Sequence, residues 1–69
     1  MRLKYHKDTD SLSINLNEKT GAESLEVASG IIINLDKDNN IVGIDISQAS
    51  QIINLSELEV SDIPHKSGS

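Results

Sequence analysis

The chain contains no cysteine, no phenylalanine and no tryptophan; Tyr5 is its one aromatic residue and Pro64 its one proline. Without cysteine there is no disulfide, no thiolate nucleophile and no Cys-containing zinc site. The same absence fits a reducing compartment. No apolar run is long enough to cross a bilayer, and no basic start leads into an apolar signal segment, so the expected location is the cytoplasm, away from membranes. Basic residues are scarce as well: six Lys and Arg stand against eleven Asp and Glu, a formal net charge of −5. Gripping phosphate backbones takes clustered Lys and Arg, and platforms for single strands take aromatic rings. Nucleic acid is therefore not an expected partner.

What remains is a chain of 69 residues whose core has to come from Ile, Leu and Val. A domain this small buries only about 60% of the surface its unfolded chain exposes, and oligomerisation is one common reinforcement. One domain is expected over residues 1–58. Residues 59–69, with Pro64 and the polar run 65-HKSGS-69, are expected to form a flexible tail.

Period-two alternation dominates the pattern. Leu3 and Tyr5 alternate with Arg2, Lys4 and His6, and Leu12, Ile14 and Leu16 alternate with Ser11, Ser13 and Asn15. Both segments read as half-buried strands joined by the polar turn 7-KDTD-10. Setting His6 opposite Ser11 places Tyr5 opposite Leu12 and Leu3 opposite Ile14, so one register puts all four apolar side chains on one face. The later segment repeats the logic: closing the chain through 37-KDNN-40 sets Asp36 opposite Ile41, Leu35 opposite Val42, Ile33 opposite Ile44 and Ile31 opposite Ile46. Between the hairpins, Leu25 and Val27 alternate with Ser24, Glu26 and Ala28 in a third short strand. Ser29-Gly30 either reverses the chain or bends it, because Leu25 and Val27 share parity with Ile31 and Ile33. After Ile46 the period changes. Ser47 is placed to cap a helix over 48-QASQIINL-55, with Ala49, Ile52 and Ile53 on one side. The expected fold is α+β: a four- to five-stranded antiparallel sheet, a hairpin meander, with one C-terminal helix packed on a face.

Chemistry is sparse. Asp36, Asp38 and Asn40 match the first alternate positions of an EF-hand loop, but the turn glycine would be Ile41 and the bidentate glutamate Ser47. A hairpin turn accounts for the stretch. His6 lies near Asp8 and Asp10, a set that solvated turns also produce, and His65 falls in the tail. No serine sits in a Gly-x-Ser-x-Gly elbow, the four glycines form no phosphate-cradling loop, and the carboxylates Asp8, Asp10, Asp36, Asp38 and Asp45 fall in turns or on outward positions. No catalytic residue, metal site or cofactor is expected, and the chain is read as a non-enzyme. The surplus is apolar: Ile32 and Ile41 point away from the main apolar rows, and Ile52, Ile53, Leu55 and Leu58 are too many for one face of a helix. These six residues form the candidate interaction surface.

Taken together, MRLKYHKDTDSLSINL, 26-EVASGIIINLDKDNNIVGIDI-46 and Ala49-Ser50 resemble the DUF2283 family of small bacterial proteins. The resemblance rests on Tyr5, Asp10, Leu12, Ile14, Leu16, Gly30, Leu35, Asp36, Val42, Gly43, Ile44 and Ile46, and covers roughly residues 1–54. Asp45 stands where the family commonly has Glu, Asn39 where it often has Gly, and His6 where Asp is frequent. The resemblance implies a compact β-rich domain of unknown function with no defined catalytic residues. Related small proteins are sometimes encoded beside toxin partners. The expected function is a small structural or interaction module that forms a homo-oligomer; the alternative is a regulator of an unidentified protein partner, antitoxin-like, supported by the acidic balance. Binding of a divalent cation ranks last.

Overall fold

The most aliphatic segments of the chain take the middle of a sheet and the charged ones its edges. In a computed structural model that describes residues 1–57 and 59–61, the described residues form five strands and one short helix: β1 (Arg2–His6), β2 (Ser11–Asn15), β3 (Glu23–Ala28), β4 (Ile31–Leu35), β5 (Ile41–Ile46) and α1 (Ala49–Ile52). The strands make one antiparallel sheet in the order β1-β2-β5-β4-β3. IIINL and IVGIDI, in β4 and β5, have neighbours on both sides, whereas RLKYH and ESLEVA lie at the two edges, where charge discourages stray pairing.

A plain succession of strands would seat β3 beside β2. Here β5 takes that place, so β2 with β3, β4 and β5 makes a Greek key. The loop over residues 16–22 carries the chain from the middle of the sheet to its far edge. The Leu16 N–H donates to the Val42 carbonyl at 3.0 Å and the Ala22 N–H to the Leu35 carbonyl at 2.7 Å, which ties both ends of the loop to the strands it passes.

The register follows the alternation. In β1 and β2, Leu3 faces Ile14, Tyr5 faces Leu12 and His6 faces Ser11. In β4 and β5, Ile31 faces Ile46, Ile32 faces Asp45 and Ile33 faces Ile44. Pairing of β2 with β5 sets Ile14 against Ile44 and Leu12 against Ile46. Two apolar rows therefore cross the whole sheet on one face: Leu3–Ile14–Ile44–Ile33–Leu25 and Tyr5–Leu12–Ile46–Ile31–Ala28. The opposite face is polar near its centre, where Ser24 Oγ donates to Asn34 Oδ1 and Asn34 Nδ2 to Asp45 Oδ2, each at 2.9 Å. Gly43 sits between Asn15 and Asn34 in this face. A Cβ there would lie 3.2 Å from the Ile14 carbonyl and 3.4 Å from Asn34 Nδ2.

Two bulges adjust the pattern. Ser29-Gly30 reverses the chain, with Gly30 at φ 80 and Ala28 opposite Ile31. Strict pairing from that turn would set Leu25 against Asn34, on the polar side. The register shifts between Glu26 and Ala28, leaving Val27 as the extra residue, and the shift returns Leu25 to Ile33. The parity conflict that left this turn undecided in the sequence is thus resolved by one inserted residue. The second bulge corrects an expected pairing: the register shifts between Asn34 and Leu35, so Leu35 faces Ile41 rather than Val42, and Asp36 does not face Ile41. Val42 is buried, and Ile41 is carried to Leu35, a residue of the apolar side.

The helix is much shorter than the sequence suggests. It covers Ala49–Ile52, and Ile53 is already extended at φ −123, ψ 143. Adjacent β-branched Ile52 and Ile53 are weak helix formers. Asn54 then offers an alternative to the helix: its Oδ1 accepts from Ser56 N at 3.2 Å and from Ser56 Oγ at 2.7 Å. Ser47 does not cap the helix; Gln48 holds the cap position in the left-handed region, with no side-chain cap bond of its own. Ala49 is fully buried against Leu12 and Ile46, and Ile14, Ile31, Ile44 and Ile53 pack around that cluster.

Ile44 lies at the middle of an apolar row, so Ile44→Ala is expected to lower stability by about 2–5 kcal/mol. Asp38→Ala, which removes an exposed side chain whose residue contributes only its backbone N–H to the turn, should stay within about 0.5 kcal/mol of wild type. Urea denaturation of both variants checks the pair; equal midpoints would refute the register.

Candidate functional site

Two carboxylates stand apart from the others in the way they are held. Among the described residues, Asp36 is the one buried charged residue, at the mouth of the β4–β5 turn. Its Oδ1 accepts the Asp38 N–H at 2.8 Å and the Asn40 N–H at 2.9 Å, and its Oδ2 accepts from Asn40 Nδ2 at 3.3 Å. The backbone closes the same loop, with Asp36 N–H donating to the Asn40 carbonyl and Asn39 N–H to the Asp36 carbonyl. Asn39 adopts φ 66, the left-handed conformation that asparagine tolerates. These donors, the Asn40 N–H foremost, hold the Asp36 pKa below the ordinary carboxylate value, with help from the Lys19 charge and against partial desolvation. The Asp36–Asp38–Asn40 spacing is thus a turn in which one carboxylate organises backbone amides. Among the described residues, no three His, Cys, Asp or Glu side chains are grouped to hold a metal ion.

The second carboxylate joins elements far apart in sequence. Asp10, at φ 51, ends the β1–β2 turn. Its backbone carbonyl accepts the Ala49 N–H at 2.8 Å, its Oδ1 accepts the Ser50 N–H at 3.1 Å, and its Oδ2 accepts from Ser50 Oγ at 2.7 Å. Tyr5 Oη donates to the same Oδ1 at 2.7 Å. Asp10 therefore caps α1 from another part of the chain, satisfying first-turn amides that Gln48 leaves open. The Tyr5 hydroxyl, then the Ser50 hydroxyl, hold the Asp10 pKa low, and the Asp10 acceptor in turn raises the Tyr5 pKa. A carboxylate of lowered pKa is a poorer base than usual. The geometry fixes a helix in place.

The remaining feature is the apolar face itself. Among the described residues, four apolar side chains are buried: Leu12, Val42, Ile46 and Ala49. At the ends of the rows, Leu3 is 47% and Leu25 54% exposed, and Tyr5 also faces water. The residues after α1 fold back over the β1–β2 half, where Ile53 and Leu55 line a groove with Leu3, Tyr5 and Leu12 of about 290 Å3. Of the six residues proposed from the sequence, five are described, and these lie at different places on the molecule. Ile32 is half-buried on the polar side between Glu26 and Asp45. Ile41 is exposed beside Leu35, Ile52 is exposed on α1, Ile53 packs on the core, and Leu55 is partly exposed at the groove. Leu58 lies outside the described residues. The larger exposed surface, Leu3, Tyr5 and Leu25 on the main face, was assigned to the core by its periodicity. The signal available in the sequence was one of quantity: five strands of apolar positions and a single short helix to cover them.

The pH response follows from the signs. Asp10 and Asp36 favour the ionised form in the fold, so their stabilisation is complete above the ordinary carboxylate value of 3.8 and is lost as pH falls through their lower folded values. Tyr5 favours its protonated form, so its contribution is present below 10.0 and is lost as pH rises through its raised folded value. Thermal melting from pH 7 down to pH 2 should show a falling midpoint, and Asp10→Asn should flatten the fall. An acid profile unchanged by that substitution would refute the capping role.

Nothing matches among curated proteins, and no solved structure matches. One family model does, DUF2283, described as a protein of unknown function, over residues 2–50. That span holds all five strands, the Asp36 turn and the Asp10–Ser50 contact, and it is well over half of the chain. The chain belongs to the DUF2283 family, whose function is unknown.

Proposed function

We propose that this protein is a non-enzymatic interaction module of the cytoplasm that self-associates through the apolar face of its sheet. The observation that carries this reading is the two apolar rows spanning five strands with their ends, Leu3, Tyr5 and Leu25, open to water. Stable domains stack at least two layers around a core. Among the described residues, the second layer amounts to one helical turn and a few following residues. The whole five-strand face, about 20 Å wide and about 17 Å long, is comparable in area with the ~300–600 Å2 of the largest apolar patch on a typical monomer, and its two ends are the parts open to water. A second sheet laid on it would remove both apolar surfaces from water together.

The face is also poor in what small-ligand recognition uses. Beyond Tyr5 it carries no aromatic side chain, and its two rows hold no ionisable group other than that phenol. Ile and Leu rows suit interdigitation with another aliphatic sheet. The absence of cysteine from the chain fits the reducing compartment in which we place it.

Light scattering at micromolar concentration is expected to give a particle of at least twice the 7.5 kDa chain mass. Leu25→Lys, at an edge position already half exposed, should shift the particle toward 7.5 kDa while circular dichroism retains the strand signal. A wild-type chain that runs cleanly at 7.5 kDa would overturn the reading.

A further inference from the structure

The cover on the apolar face is lopsided, and so is the charge along the two sheet edges. α1 packs on β2, Ala49 also rests on Ile46 of β5, and Ile53 and Leu55 line a groove with Leu3, Tyr5 and Leu12 at the β1–β2 end. No such segment is seen over the β4–β3 half among the described residues, and every residue of β3 is exposed. At the edges, β1 carries Arg2 and Lys4 and no acid, with Lys7, Asp8 and Asp10 in the turn that follows; β3 carries Glu23 and Glu26 and no base.

We propose that the occupant of the face is a second copy of this chain, turned about a two-fold axis that runs nearly parallel to the strands, so that β1 of each copy lies over β3 of the other. This rests on the self-association reading and adds its geometry. Two sheets packed face to face keep their strands within about 30° of one another and lie about 10 Å apart. A two-fold axis between them then has two choices. Across the strands, it stacks β1 on β1 and β3 on β3. The two C-terminal segments would collide on one side, the two bare halves would gape on the other, and like charges would line each rim. Along the strands, the segment over β1–β2 of one copy fills the bare β4–β3 half of its partner, and the reverse holds by symmetry. Ile52 and Leu55, exposed on that segment, then meet Ile33 and Leu25 of the second copy.

The rim charges favour the same choice. Lys4 and Glu26 both lie on the polar side of their strands, Lys4 opposite Ser13 and Glu26 opposite Ile32, so their attraction acts around the edge of the sandwich. The sheet spacing of about 10 Å already exceeds the ~8 Å Debye length at physiological salt, so this attraction is screened there and grows as salt is lowered. Opposite signs at both rims add attraction twice over, and the alternative axis replaces both with repulsion.

Because the chain has no native cysteine, single cysteines at Lys4→Cys and Glu26→Cys can each carry one spin label, at side chains that point away from the packed face. β1 and β3 lie four strand spacings apart, about 19 Å. Pulsed dipolar spectroscopy on each labelled chain alone gives the 4-to-4 and 26-to-26 distances; a mixture carrying a nitroxide on one variant and a gadolinium chelate on the other gives the 4-to-26 distance between chains. The proposal expects 4-to-26 to be the shortest of the three. A dimer in which 4-to-4 and 26-to-26 are shorter than 4-to-26 would overturn this geometry while leaving self-association standing. A monomer by light scattering, with no dipolar coupling, would overturn both.

Discussion

Ile44 sits at the centre of this molecule in a way that organises the rest. It faces Ile14 on one side and Ile33 on the other, and those two carry the row outward to Leu3 and Leu25. Every strand contributes one residue to that row, and four contribute a large apolar residue to the next, so a slip of one residue in any strand would turn its whole apolar set to the wrong side. The fold is the set of devices that prevents such slips. Val27 absorbs one residue so that Leu25 stays in the row. Gly43 leaves room for the Ile14 carbonyl and the Asn34 amide, keeping β2, β5 and β4 close. Across the sheet, Ser24, Asn34 and Asp45 bond to one another, which marks the opposite face as polar.

The acidic residues serve this arrangement. Asp36 gathers amides of its own turn and sets where β4 stops and β5 begins. Asp10 gathers Tyr5 from the edge strand and Ser50 from the helix, so one carboxylate fixes β1, the first turn and α1 relative to one another. A helix of one turn has little stability of its own, since the nucleating turn costs more than its few hydrogen bonds return. Its position depends on the Asp10 cap and on Ala49, whose side chain is small enough to lie directly on Leu12 and Ile46. A larger residue at that point would lift the helix off the sheet.

Much of this was legible in the chain because alternation is a local signal. The Leu3–Ile14, Tyr5–Leu12, Ile33–Ile44 and Ile31–Ile46 pairings follow from parity and turn length alone. What was not legible depends on interactions distant in sequence. The β2–β5 pairing that closes the Greek key has no local marker, because any apolar strand of matching parity could have taken that place. Bulges are invisible to a strict period of two, so alternation alone pairs Leu35 with Val42 and cannot choose between a reversal and a bend at Ser29-Gly30. The cap on α1 comes from 40 residues away, so Ser47, the nearest hydroxyl, was chosen in its stead. Periodicity also cannot distinguish a covered face from a bare one. Leu3 and Leu25 have the pattern of core residues, and only the three-dimensional arrangement shows that little lies above them.

That last point bears on where the function of the family is carried. The family match ends at Ser50, just after the residue that seats α1, and the segment that covers the β1–β2 half begins beyond it. The matched part is therefore a sheet with one apolar face, one polar face and the Asp10 pin, and it contains very little of its own cover. A single sheet in that condition cannot remove both its faces from water by itself. Covering the face requires further chain, another protein or another copy, and β3 here is exposed along its whole length. The surface left open is aliphatic, nearly free of ionisable groups, and bounded by a basic edge on one side and an acidic edge on the other. A surface whose two borders complement one another is matched by the same surface turned half a revolution, which is the ground on which we propose a second copy in preference to a partner of uniform charge.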